Sequence, residues 1–410
     1  MLKLLLLALL LSGRNTINTG RHTINTSQDT IIAVLAPNPP APVTIRILNT
    51  SPTPLHNILL EWSLQTDGAI TRKGKTTIPA LSPQHPALVR LPLHLPDDTA
   101  GESFLLLRYR SASPSATHPP PPTLIAEQQI LLKPYRPSLT IATTGEITLT
   151  DENDIVTIHS PAIRISFNRQ TGWLVHYEIK GIDLLDDTLG LRSNFWWPGY
   201  NDSAGPPEPH LQLFSNTTSP EQIIIRTEYT LPATASLLHL SYTINAGGEM
   251  LVTQQVEPDT TQPPQSPPPC FGMQWILPPG YDSITAYGPL PSIPSGPPDT
   301  STRIGIFHDH PTIPSSSDPH ARAASTRTGI RWWTITDKDG NGLRFIADTP
   351  LLNASALHCF DRDLVMTSNH PTSRPQIQIS IDKPILLPMG NLRYSYKVKP
   401  LIASRISNHL

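Results

Sequence analysis

The residues of this sequence best suited to surface chemistry are gathered in NFWWPGYND, residues 194–202. Flat aromatic rings offer an apolar face to the C–H side of a sugar ring, and amides and carboxylates offer partners to its hydroxyls. Asn194, Trp196, Trp197, Asn201 and Asp202 supply both, with Tyr200 among them. Adjacent residues on a strand face opposite ways, so one indole can pack inward while the other lies on a surface. Packing in a core or interface and service as a carbohydrate platform are both open for these rings. For the second pair, Trp332 and Trp333 in RWWTIT, packing is expected.

Other chemistries find less support. Retaining hydrolysis of a glycosidic bond needs two carboxyl groups about 5–5.5 Å apart, one as acid/base and one as nucleophile. Here Asp151, Asp186, Asp187, Asp337 and Asp339 are scattered over turn sequences, where a carboxylate is ordinarily solvated. HDH at 308–310 with His320 offers imidazoles but no further ligand at matching spacing, so a loop is expected and no metal. CxxC, HExxH and GxSxG are absent, and no cofactor is expected. Cys270 and Cys359 could form one bridge, but two buried, unrelated thiols are the expected reading.

The elements that must position these residues are strands. Proline numbers 47 in 410 residues, about twice the ordinary share of about 5%. A proline inside a helix costs about 3 kcal/mol, so almost no helix is expected beyond the first dozen residues. Hydrophobic residues make up 38% and charged residues 15%, with a formal net charge of −2. That leaves material for a large core and no basic stripe for nucleic acid. The opening MLKLLLLALLLSGR has the order of a short secretory signal. Its apolar run is too short to span a bilayer, which takes about 20 residues. Sequons at Asn25, Asn49, Asn201, Asn216 and Asn353 are compatible with export, and secreted and cytoplasmic locations both stay open.

Three segments follow from the pattern. Residues 1–29 read as an apolar start and a polar linker, which contains the near-repeat RNTINTG and RHTINTS. Residues 30–133 read as a small β-sandwich, with Trp62 in its core. A boundary is expected near 134–148. Beyond it, over 145–402, twelve or more longer strands call for a large sandwich or curved sheet. QTG at 170–172 and KDGNG at 338–342 read as hairpin turns.

The longer segment carries a resemblance. IRISFNRQTGWLVHYEIKGIDLL, GLRSNFWWPGYNDSAG, FGMQWILPPGYDSITAYGPLP and TGIRWWTITDKDGNGLRFIADTPLLNASALHCFDRDL follow in order. In strand–turn pattern and spacing they are similar to the C-terminal part of glycoside hydrolase family two β-galactosidases. The resemblance implies an all-β fold: an immunoglobulin-like β-sandwich followed by a galactose-mutarotase-like supersandwich. It also implies an oligomeric enzyme whose catalytic glutamates sit on a (β/α)₈ barrel. No barrel sequence is found here; such a barrel takes about 250 residues and eight helices. This chain thus resembles the small chain of relatives that divide the enzyme in two. It departs from the family pattern at WPGYNDS, at GPLPSIPSGPPDTS and at ISIDKPILLPMGNLRY, where a Trp-bearing loop is missing.

The reading that follows is a β-galactosidase small-chain-like protein, partnered by a barrel-bearing large chain or by further copies of itself, with a galactoside as the carbohydrate. Alone it carries no catalytic residue, so whether it counts as an enzyme depends on the partner. The alternatives are a carbohydrate-binding module or fragment without activity, and a mutarotase-like epimerase. The last requires a His and a carboxylate paired on facing strands.

Overall fold

The apolar alternation of the sequence is realised as strands. The structure is a computed structural model that describes residues 23–26, 31–35, 43–93, 101–111, 122–142, 145–188, 190–196, 208–232, 236–257, 270–291, 303–313, 325–348, 351–360, 373–383 and 392–403. Two compact units divide the chain. One comprises Met1–Arg136 with Leu290–Gly305, and the other comprises Pro137–Pro289 with Ile306–Leu410.

The strands of the first unit are β1 (Thr23–Thr26), β2 (Ile31–Leu35), β3 (Thr44–Asn49), β4 (Leu55–Thr66), β5 (Ala69–Leu81), β6 (Pro86–Arg90), β7 (Ser103–Ser111) and β8 (Thr123–Lys133). They form a five-stranded sheet, β1-β8-β7-β4-β5, and a three-stranded sheet, β2-β3-β6. Ile58, Leu60, Trp62 and Leu64 alternate inward along β4. They join Ile31, Ala33, Ile45, Ile47, Leu105, Leu107 and Tyr109 in one core. Each such side chain contributes about 1.5–3 kcal/mol by leaving water. Trp62 lies in that core as expected, and Gly74 of β5 makes room for it: a Cβ there would meet the indole. The two sheets are also tied by Gln128, whose amide bonds both the nitrogen and the oxygen of Ala33 at 2.8 and 2.7 Å. Gln129 makes the same paired bond, at 2.8 Å each way, to Ile304 in the Leu290–Gly305 segment of this unit. One expectation is corrected here. Thr23–Thr26, read as part of a polar linker, pairs with Glu127–Ile130 as an edge strand. Its β-branched Thr and Ile residues favour a strand.

The second unit opens with a five-stranded meander: β9 (Thr148–Glu152), β10 (Ile155–His159), β11 (Ile163–Asn168), β12 (Leu174–Ile179) and β13 (Ile182–Asp183). Next come β14 (Leu191–Trp196), β15 (His210–Thr218), β16 (Gln222–Leu231), β17 (Ser236–Asn245), β18 (Met250–Glu257), β19 (Cys270–Leu277) and β20 (Ser283–Pro289). The last are β21 (Ile304–Asp309), β22 (Arg327–Ile330), β23 (Trp332–Thr336), β24 (Gly342–Ala347), β25 (Leu352–Leu357), β26 (Ile377–Lys383) and β27 (Leu392–Leu401). They make a five-stranded sheet, β14-β19-β26-β25-β22, and a nine-stranded sheet, β15-β16-β17-β18-β27-β24-β23-β20-β21.

The nine-stranded sheet buries one face. Ile223, Ile225, Tyr229, Tyr242, Val252, Tyr396, Phe345 and Trp333 point into the interior. The meander packs on one end of that face, where Phe167 lies 5.2 Å from Tyr242 and Trp173 stacks 4.6 Å from Tyr229. The β14–β22 sheet covers the other part, with Trp275 edge-on to Phe345 at 5.4 Å and Phe271 to Tyr394 at 5.3 Å. Local chemistry sets the register. Asp67–Gly68, Asn153–Asp154 and Lys180–Gly181 all have positive φ at both positions. They close two-residue hairpins whose twist matches the flanking strands. KDGNG turns between β23 and β24 through Asp337, whose carboxylate accepts from the backbone N–H of Asp339 and Asn341. GIRWWTIT, read as one strand, is two. The chain breaks at Arg331, so that β22 pairs with β25 in one sheet and β23 with β20 and β24 in the other. Gly329 at φ 68 and a register shift before Ile330 make the crossing.

Candidate functional site

Asn194 and Trp196 lie on β14, an edge strand, where their backbones pair with Gly272 and Cys270 of β19. Trp197, Asn201 and Asp202 lie outside the described residues, as does Tyr200. The row that starts at Asn194 continues through Gly272 to Asp382 of β26 and Asn353 of β25. On that same face Ser355, Gln378, Ser380 and Asp382 are buried. Buried polar groups are costly unless they are bonded, and four together on one sheet face set it apart from the apolar face bearing Met273 and Trp275. Three of its members alternate along β26 as IQISID, and Ser355 joins them from the neighbouring β25.

The acidic residues are less scattered than their sequence positions suggested. Cross-strand register brings Glu178 of β12 opposite both Arg164 of β11 and Asp183 of β13. His176, two residues along the same face, is 2.6 Å from Asp187 through Nδ1, 3.3 Å from Glu178 and 3.9 Å from Asp183 through Nε2. Arg164 donates to Glu178 Oε2 from Nε and from a terminal nitrogen, at 3.0 and 2.7 Å. Ligand atoms of His176, Glu178 and Asp183 all lie within 4.8 Å of one another, a spacing that a metal ion could bridge. Sequence reading missed this group, although HYEIKGID holds three of its members and the two-residue Lys180–Gly181 turn is the signal that folds Asp183 back on Glu178.

A glycosidase acid must hold its proton near neutral pH, and Glu178 is tuned the other way. Burial works against its charge, but the hydrogen bonds from Arg164 and His176 prevail and hold it below its ordinary value of 4.5. A carboxyl depressed on folding contributes stability that is fully present above its unfolded value and lost as pH falls through the folded one. Glu178→Gln is therefore expected to lower the melting temperature near about pH 7 and to lose that disadvantage near about pH 3. Melts at the two pH values check this; an equal gap at both would contradict it.

A second histidine is flanked by carboxylates on neighbouring strands of the nine-stranded sheet. His239 Nδ1 is 3.2 Å from Glu228, and Nε2 is 3.6 Å from Glu257. This is the facing His–carboxylate pair that an epimerase would need. Glu228 sits within bonding distance of Nδ1, while Nε2 has no hydrogen-bond partner, with Glu257 3.6 Å away. Of the HDH motif, His308 bonds Thr285 at 3.0 Å and His310 bonds the Asp282 carbonyl at 2.8 Å; His320 lies outside the described residues. Cys359 is buried, and the Cys270 side chain lies outside the described residues.

The tryptophan pair of β23 divides by alternation. Trp333 is buried at 1% exposure. Trp332, for which packing was also expected, is half-buried on the opposite face, with the Arg344 guanidinium 4.5 Å from its ring centre.

These features define an all-β protein of sandwiched sheets, with clusters of polar side chains among its described residues. The chain belongs to the β-galactosidase small chain family, whose model matches residues 159–382. It is 22% identical over 313 residues to a β-galactosidase of Priestia megaterium (strain DSM 319 / IMG 1521), across 72% of this chain and 29% of that protein. The chain thus spans well under half the length of this relative. Among solved structures it is similar to the α-N-acetylgalactosaminidase NagBb of Bifidobacterium bifidum, at TM-score 0.37 and 10% identity, covering 60% of this chain and 36% of that one. It is also similar to galactose 1-epimerase of Lactobacillus acidophilus NCFM, at TM-score 0.31 and 10% identity, covering 63% and 99%.

Proposed function

We propose that this chain is the non-catalytic small-chain part of a glycoside hydrolase acting on β-galactosides, with the catalytic barrel carried outside these 410 residues. The observation that carries this reading is the family match over 159–382, in a region whose described elements are strands. The 30–133 segment as an immunoglobulin-like sandwich and the 145–402 segment as a mutarotase-like supersandwich belong to the same proposal. Mixing the purified chain with a barrel-bearing β-galactosidase large chain is expected to give a stable complex on size-exclusion chromatography. Separate elution at micromolar concentration would count against the reading.

The aromatic segment is where this part is expected to meet sugar or partner. Asn194, Trp196, Trp197, Asn201 and Asp202 combine flat rings with amide and carboxylate groups, next to Pro198 and Gly199. Binding residues concentrate in such segments on a rigid scaffold, and tryptophans are common interface anchors. If the rings form a platform, Trp196→Ala or Trp197→Ala weakens galactoside binding and leaves the melting temperature within a few degrees. If they are core rings, each truncation costs about 3–5 kcal/mol and leaves sugar affinity alone.

A further inference from the structure

On the face of the nine-stranded sheet opposite its core, Trp332 and Thr334 of β23 lie beside Thr285 of β20 and Arg344 of β24. The Arg344 guanidinium stands 4.5 Å from the centre of the Trp332 ring. Its Nε donates to Thr334 Oγ1 at 3.1 Å. Stack and bond together hold the planar fork in place while leaving its terminal nitrogens for another acceptor. Among the described residues no carboxylate pairs with Arg344, whereas Lys399 on the neighbouring strand is paired with Glu249 at 3.2 Å. Arg344 is half-buried, and the lost hydration weakens its hold on the proton. A partly desolvated guanidinium without a counter-charge gains most from a carboxylate, which it can grip through two parallel bonds. Hydroxyl chemistry lies alongside: Thr285, opposite Thr334, bonds Nδ1 of the exposed His308 at 3.0 Å.

We propose that this face is a binding subsite for a uronic acid, with the sugar carboxylate held by Arg344 and its hydroxyls met by Thr285 and His308. The subsite is independent of the barrel, so the chain alone can test it. Calorimetric titration of the 410-residue chain with galacturonate is expected to show saturable binding. Galactose, which lacks the carboxylate, is expected to bind at least about tenfold more weakly. Acetate, which lacks the ring, should do the same. Arg344→Gln should weaken galacturonate binding by about tenfold or more, with the melting temperature within a few degrees. Arg344→Lys keeps the charge but not the fork, and an intermediate loss is expected; this variant decides the matter if the glutamine variant does not fold. Equal affinity for galactose and galacturonate, no binding of either, or galacturonate binding indifferent to both Arg344 variants would overturn the proposal. Acetate binding as tightly as galacturonate would also overturn it, because the sugar would then play no part. None of these outcomes bears on whether the chain joins a barrel-bearing partner.

Discussion

Trp333→Ala is expected to lower the stability of the second unit by about 3–5 kcal/mol, or roughly 6–20 °C in melting temperature for a unit of this size. Trp332→Ala, one residue away, is expected to shift it by a few degrees at most. The contrast follows from the strand. Trp333 is 1% exposed and 6.1 Å from Phe345 in ring-centre distance. Phe345 in turn meets Trp275, whose indole nitrogen donates to the Tyr396 hydroxyl at 3.1 Å. Truncating Trp333 empties a volume that this close-packed aromatic group cannot refill. Trp332 faces the other way, is half-buried, and loses its stack with Arg344 and its neighbour Tyr287, 6.2 Å away in ring-centre distance. Thermal melts of the two variants, followed by tryptophan fluorescence and circular dichroism, check the prediction. Equal losses would mean that both rings are packed and that the outer face of β23 is not a surface.

Much of the architecture was legible because its signals are local. Apolar alternation marked β4, β16, β17 and β27, and Gly and Asp chemistry marked the hairpins at 170–172 and 338–342. Proline density argued against helices. The break at Arg331 was missed, although the Trp332–Trp333 doublet shifts the apolar alternation by one residue, just after the left-handed backbone at Gly329. Edge strand β1 was missed because TINT has no apolar face to betray pairing. Clusters made by register were harder still. Ser355 and Ser380 are neighbours because β25 pairs with β26, and nothing near either residue in sequence announces it. The Asn194–Asp202 segment was legible as composition, although three of its five chosen residues lie outside the described residues.

The central claim is that these residues serve a hydrolase without carrying its catalytic pair. Of the described acidic residues, Glu178 and Asp183 come closest to a working pair, each near His176. Yet Glu178 is bonded by Arg164 and held below its ordinary value, which does not suit it to the proton-bearing role of such a pair. His239 lies between Glu228 and Glu257, with its Nε2 unbonded.

The most direct test is hydrolysis of a chromogenic β-galactoside by the purified chain, alone and with a barrel-bearing β-galactosidase large chain. The expected result is no turnover by the chain alone, and turnover in the mixture above that of the large chain by itself. The contradicting result is turnover by this chain alone that survives removal of contaminating enzyme and disappears in Glu178→Gln or Asp183→Asn.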